Sequence, residues 1–277
     1  MKIRVKLKKS INILRGRIDT GYVNWILAGS SPHHEKIKIE KVNPDYKMDM
    51  QDDEGNIILS FKLPALKAGD IFELRANLLF HTHNLKIPLL DFSFKEYPLK
   101  IIHKYCKESK YWQISNPKIQ QIVNHLRSES GDNVKEFLRL AFEFVRNNII
   151  LKRNLKRRLG AVNALIEKKG DCDEFSDLFI TISRAAKIPA RRVLGYYIMN
   201  SHDYELHAWA EVFIPHYNAF VPFDVSLNLS SKITDKHIVR QKMASSDKPP
   251  IVFLKYKGSE NTMISLNKND LDSIEKI

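Results

Sequence analysis

The stretch KKGDCDEFSDLF, residues 168–179, decides how the second half of this chain is read. Asp171 is a residue type that caps helix N-termini. An apolar pattern of helical period follows, with Phe175, Leu178, Phe179, Ile182 and Ala186 on one face, and Pro189 stops it. The pattern therefore predicts a helix that begins at or near Cys172. A helix start carries unbonded N–H groups and a partial positive charge, and both favour an anion. The nucleophilic form of cysteine is the thiolate, which makes Cys172 a candidate nucleophile. Gly170 lets the backbone turn sharply and leaves space in front of the thiol. The carboxylates of Asp171 and Asp173 work against a thiolate, so such a site also needs a cation.

A histidine is the natural candidate, and the chain has ten of them. His207 is distinguished by its strand, ELHAWAEVFI, in which alternation puts His207, Trp209, Glu211 and Phe213 on one face. The next run, NAFVPFDVSL, reads as the partner strand of a hairpin turning at Pro215–Asn218. That turn sets paired positions to a sum of about 433. His207 then lies opposite Ser226, with Asp224 its diagonal neighbour on the same face. The three residues form a candidate relay. Cys172 attacks a carbonyl carbon, His207 moves the proton, and Asp224 fixes the imidazole and supports its charge.

Outward from this region the chain divides by pattern. Residues 1–105 read as short strands with turn signals: KIRVKL, HEKIKIEKV, the run after the turn at Glu54-Gly55-Asn56, KAGDIFELRANLLF, and the segment around LKIPLLDFSF. They predict an antiparallel β-sandwich that gathers no reactive side chains. Residues 106–230 predict an α+β domain. One helix starts at Asn116-Pro117, a second runs from Val134, and a third covers Ala161 to Lys169 with Gly170 as a left-handed cap. The cysteine helix and antiparallel strands follow. Residues 231–277 read as a polar extension with one strand, IVFLKY.

Composition narrows the classes. The 277 residues are 43% hydrophobic and 10% aromatic, enough for one large or two medium cores. Two cysteines make no disulfide framework, and a reducing, cytoplasmic setting is expected. No run reaches the roughly 18 apolar residues of a membrane helix, so no membrane insertion is expected. The net charge of +13 is spread over the chain, apart from the cluster LKRNLKRRL at 151–159. No nucleic-acid motif accompanies it, and nucleic acid is not an expected partner. Neither a calcium loop nor a paired CxxC is present, so no metal and no cofactor is expected.

The motifs GDCDEFSDLFITISRAAKIPARRVLGY, HAWAEVFIP and FVPFDVSLNL resemble those of the transglutaminase-like superfamily. The likeness covers about residues 130–230, and FEFVRNNI and LGAVNALIEKKG resemble the family's lead-in helices. The β region resembles the module that often precedes this domain in prokaryotic and archaeal members. The resemblance implies a papain-like fold with Cys172 as nucleophile, His207 as base and Asp224 as orienting acid. It implies a thioester intermediate and a protein or peptide substrate with an amide group. Animal members carry a tryptophan upstream of the cysteine that stabilises the oxyanion; the nearest here is Trp112. The competing expectation is a catalytically silent interaction scaffold that uses the basic cluster as a docking face.

Overall fold

The computed structural model describes every residue except 154, 201–202, 247–250 and 268–270. The fold is α+β. Two antiparallel sheets form the N-terminal β-sandwich. One is built on Lys2–Arg15 and Ile71–Thr82, the other on Arg17–Gly29 and Asn56–Leu63. The alternation read in KIRVKL places Ile3, Val5 and Leu7 in the core between them, with Trp25, Leu59, Phe61, Leu78 and Phe80. The sandwich is completed from the far end of the chain. Val252–Gly258 pairs with Arg17–Gly29, and Met263–Leu266 and Leu271–Lys276 pair with Lys2–Arg15.

Among the described residues, five α-helices follow: α1 Leu99–Tyr105, α2 Pro117–Ser130, α3 Val134–Asn148, α4 Ala161–Glu167 and α5 Cys172–Ala185. They pack beside a five-stranded antiparallel sheet. In spatial order its strands are Leu229–Ser230, Ala219–Asp224, Tyr204–Ile214, Ala190–Ile198 and His237–Met243. The strand His237–Met243 lies beyond the expected domain boundary at 230. Sheet membership thus runs across that boundary, because the polar run around it still supplies a buried strand with Ile238, Val239 and Met243 in the core.

Helix α5 is the centre of this half. Its apolar face, Phe175, Leu178, Phe179 and Ile182, packs against α3 and the sheet. Phe179 meets Phe142 edge-on at 6.1 Å and Phe223 at 5.2 Å. Its opposite side is buried too, and the charged groups there, Asp177 and Arg184, are bonded. Asp177 accepts from the Trp112 indole (2.8 Å) and from Arg158 Nε (2.8 Å). Arg184 donates to the carbonyls of Ala190 (2.8 Å) and Lys107 (3.1 Å). An element buried on every side is held in one position, which is what a reactive group at its end requires.

Three local expectations are corrected. The left-handed residue after α4 is Lys168 (φ 50°), not Gly170. Gly170 is required for a different reason: a Cβ there would stand 2.3 Å from the Glu174 Cβ. The segment around LKIPLLDFSF contributes only Leu85–Lys86 to a sheet. Ile87, Leu89, Phe92 and Phe94 instead cross onto the helical core, since Pro88 cannot continue a ladder. Helix α1 had no sequence signal of its own. It is a seven-residue helix opened by Pro98 and carrying one buried residue, Tyr105.

Candidate active site

Cys172 is the first residue of α5 and is partly exposed. The start of the helix is fixed by a capping box. Asp171 accepts from the Asp173 N–H (3.0 Å), and Glu174 accepts from the Asp171 N–H (3.0 Å). The other Glu174 oxygen takes the Leu159 N–H at 2.7 Å, which ties the basic loop to the helix start. Burial pushes the Glu174 carboxyl up to about 7 against these bonds. Asp173 is bound by the Arg192 guanidinium. The two acids that would oppose a thiolate are thus engaged, one as a cap and one in an ion pair.

His207 lies on the neighbouring strand. The hairpin register is Ala210↔Phe223, Glu211↔Pro222 and Val212↔Val221, so paired positions sum to 433 as the turn placement predicts. A 3-10 turn at Pro215–Tyr217 and a left-handed Asn218 make the reversal. His207 Nε2 meets Asp224 Oδ2 at 2.6 Å, with both side chains buried. The indole of Trp209 stacks against the His207 ring at 6.0 Å, and Tyr197 lies 5.7 Å away. The strand is buried continuously from His207 to Ile214.

The charges follow from these contacts. Burial opposes protonation of His207. The charge and hydrogen bond of Asp224, then the hydrogen bond and charge of Cys172, outweigh it and raise His207 to about 10. The imidazole is therefore cationic at neutral pH and in contact with the thiol. Burial opposes ionisation of Asp224, yet His207 and the hydrogen bonds from both His207 and His237 hold its carboxyl well below the usual range. The other Asp224 oxygen accepts from Ser226 Oγ (2.8 Å) and the Leu227 N–H (3.1 Å). Cys106, the second cysteine, stands apart: burial pushes its thiol up to about 11, partly offset by Arg184 and Lys187.

Two clefts meet at Cys172 and His207. One, of about 440 Å³, is lined by Arg192, Leu194, Tyr196, Gln241 and Ile251, among others. The second, of about 360 Å³, runs to Leu151, Arg153, Glu205 and Leu227. Cys172, His207 and Asp224 are thus brought together from a helix start and two paired strands. Trp112 is elsewhere: its indole is fully buried and committed to Asp177. The basic cluster is partly structural, with Arg158 paired to Asp177 and Arg153 to Glu205. Arg192 and His237 were not singled out in the sequence. Arg192 had a faint signal in the IPARR motif; His237 had none.

The sequence model of the transglutaminase-like superfamily matches residues 100–225, which hold all three side chains. This segment belongs to the transglutaminase-like superfamily. No curated protein matches the chain. Among solved structures, a candidate cysteine protease from Cytophaga hutchinsonii is similar over 99% of this chain and 97% of its own. Its identity is 16% and its TM-score 0.62. The periplasmic domain of TgpA from Pseudomonas aeruginosa is similar over 82% of this chain and 91% of its own, with 13% identity and a TM-score of 0.43. The first likeness extends the shared fold beyond the transglutaminase-like segment to the sandwich. No helix among the described residues is long and apolar enough to cross a membrane.

Proposed function

We propose that the protein is a cysteine enzyme that cleaves or transfers the acyl group of an amide, a Gln carboxamide or a peptide bond. The Cys172 sulfur attacks the amide carbonyl carbon, and the C–N bond breaks to leave a thioester. His207 gives its proton to the departing amine or ammonia. It then takes one from the incoming water or amine, which resolves the thioester to an acid or a new amide. Asp224 holds the imidazole and balances its charge throughout. The backbone N–H of Cys172, which has no acceptor among the described residues, supplies one donor to the oxyanion.

The observation that carries this reading is the cationic, buried His207 held between the thiol and Asp224. The two clefts on either side of Cys172 support a substrate that continues beyond the reacting bond, as a protein or peptide does. Two unpaired thiols favour a reducing, cytoplasmic setting. The test is incubation with a Gln-containing peptide mixture, with and without a primary amine, for wild type and Cys172→Ala. Incorporation of the amine identifies transfer; ammonia or new N-termini without incorporation identify hydrolysis. Equal turnover by Cys172→Ala would remove the proposal.

A further inference from the structure

The Asp224 carboxylate serves two imidazoles, and only one of them reaches the thiol. His237 Nε2 meets the same Asp224 oxygen that binds His207, at 3.1 Å. The other ring nitrogen of His237 is 2.9 Å from Thr234 Oγ1 and 3.4 Å from the Thr234 N–H. A backbone N–H can only donate, so Nδ1 accepts and Nε2 carries the proton aimed at Asp224. The His237 ring is fully buried and held edge-on by Tyr197 (5.0 Å) and Trp209 (5.2 Å).

The β-sandwich reaches this ring through its backbone. His33 Nε2 lies 2.9 Å from the His237 carbonyl oxygen, and His33 Nδ1 is 2.7 Å from Ser31 Oγ. Ser31 donating to Nδ1 leaves Nε2–H to donate to the carbonyl. His34 packs beside His33 at 4.2 Å. A line of hydrogen bonds therefore runs from Ser31 and His33 to the His237 main chain, and from the His237 ring to Asp224 and His207.

We propose that His237 is a positioning residue for Asp224, and that the β-sandwich, through His33, holds it in place. This rests on the reading of Cys172, His207 and Asp224 as one reacting unit. A carboxylate can turn about its last bond. Ser226 and Leu227 fix one oxygen and His237 the other, so the lone pair facing His207 stays aligned. The two histidines differ in role because of what surrounds them. His207 has the thiol as well as the acid, whereas His237 has the acid and a neutral hydroxyl, and stays uncharged.

The experiment uses the full chain with two variants at His237, His237→Leu, which has no donor, and His237→Gln, which keeps one, beside the His207 variants as controls. Two properties are read: the rate of Cys172 alkylation by iodoacetamide, and the downfield proton resonance of the His207–Asp224 hydrogen bond, identified by its loss in His207→Gln. His237→Leu is expected to slow alkylation roughly tenfold and to shift or broaden that resonance, since a hydrogen bond to a charged group is lost. His237→Gln is expected to restore the rate to within about twofold. Equal losses in Leu and Gln, with the resonance unmoved, would reduce His237 to packing and overturn the proposal. Sensitivity to His207→Ala without sensitivity to His237→Leu overturns this proposal alone. Indifference to His207→Ala overturns the triad reading and this proposal with it. Should His237→Leu not fold, Thr234→Val decides: a severalfold loss supports the proposal, and a wild-type rate refutes it.

Discussion

Replacing Asp224 by Asn removes a buried negative charge at nearly constant volume. His207 rises to about 10 in the fold, against about 6.5 for a free imidazole. That interval corresponds to about 5 kcal/mol of preference for the charged ring. Burial acts against the charge, so the favourable contacts supply more than this. Asp224 provides the two largest of them, ahead of Cys172. If Asp224 accounts for half, its neutralisation removes about 2.5 kcal/mol. That is a fall of roughly two pH units: His207 stays mostly protonated at pH 7, but its charge supports a negative sulfur on Cys172 less strongly by about that energy. Alkylation of Cys172 by iodoacetamide at pH 7 should slow by a factor between about ten and a hundred. Peptide mass spectrometry reads the two cysteines separately. Cys106, with its thiol pushed up to about 11, should remain slow and unchanged, which makes it an internal reference. A Cys172 rate within twofold of wild type, in a variant whose circular dichroism and melting are intact, would refute the electrostatic argument.

Further outcomes follow from the same contacts. Burial lowers His33 to about 4, holds His34 well below the usual imidazole range and also lowers His237. The unfolded chain then binds protons first. Stability is full above about pH 6.5 and lost as pH falls toward 4, by about 3 kcal/mol from His33 alone. Urea midpoints measured across that range check it, and His33→Gln should flatten the slope. His207 has the opposite sign: its contribution is full below about pH 6.5 and lost as pH rises through about 10. His207→Ala should remove that alkaline decline, seen by the same midpoints. Arg192→Met strips Asp173 of its partner beside Cys172 and should slow Cys172 alkylation severalfold; adding Asp173→Asn should restore the rate. Gly170→Ala drives a Cβ into Glu174 and should cost about 1–3 kcal/mol in urea unfolding, with slower labelling of Cys172.

The parts of the fold that were legible are those governed by local rules. Asp171, the apolar period and Pro189 fixed α5 because capping and periodicity act within one helix. The Pro215–Asn218 turn set the hairpin register because a short turn leaves little freedom. Alternation marked the sandwich strands, each of which has one face in a core. What stayed hidden depends on distant chain segments. His237 lies in a polar run, and its meaning comes from Asp224 on another strand and His33 in the sandwich. The completion of the sandwich by Val252–Gly258 and the strands after it needed contacts across more than two hundred residues. Arg192 shows the same limit on a smaller scale. Two adjacent arginines look alike in sequence, yet Arg191 binds Glu211 and Glu54 while Arg192 binds Asp173 beside the cysteine.

A covalent acyl group on Cys172 is the species that separates this chemistry from every non-enzymatic role for the fold. The direct measurement is intact and peptide mass analysis after acid quench of wild type and His207→Ala incubated with a Gln-rich peptide mixture. The expected result is a hydroxylamine-sensitive adduct on Cys172 in wild type that is missing in the variant. No adduct on Cys172, or equal adducts in both proteins, would contradict it.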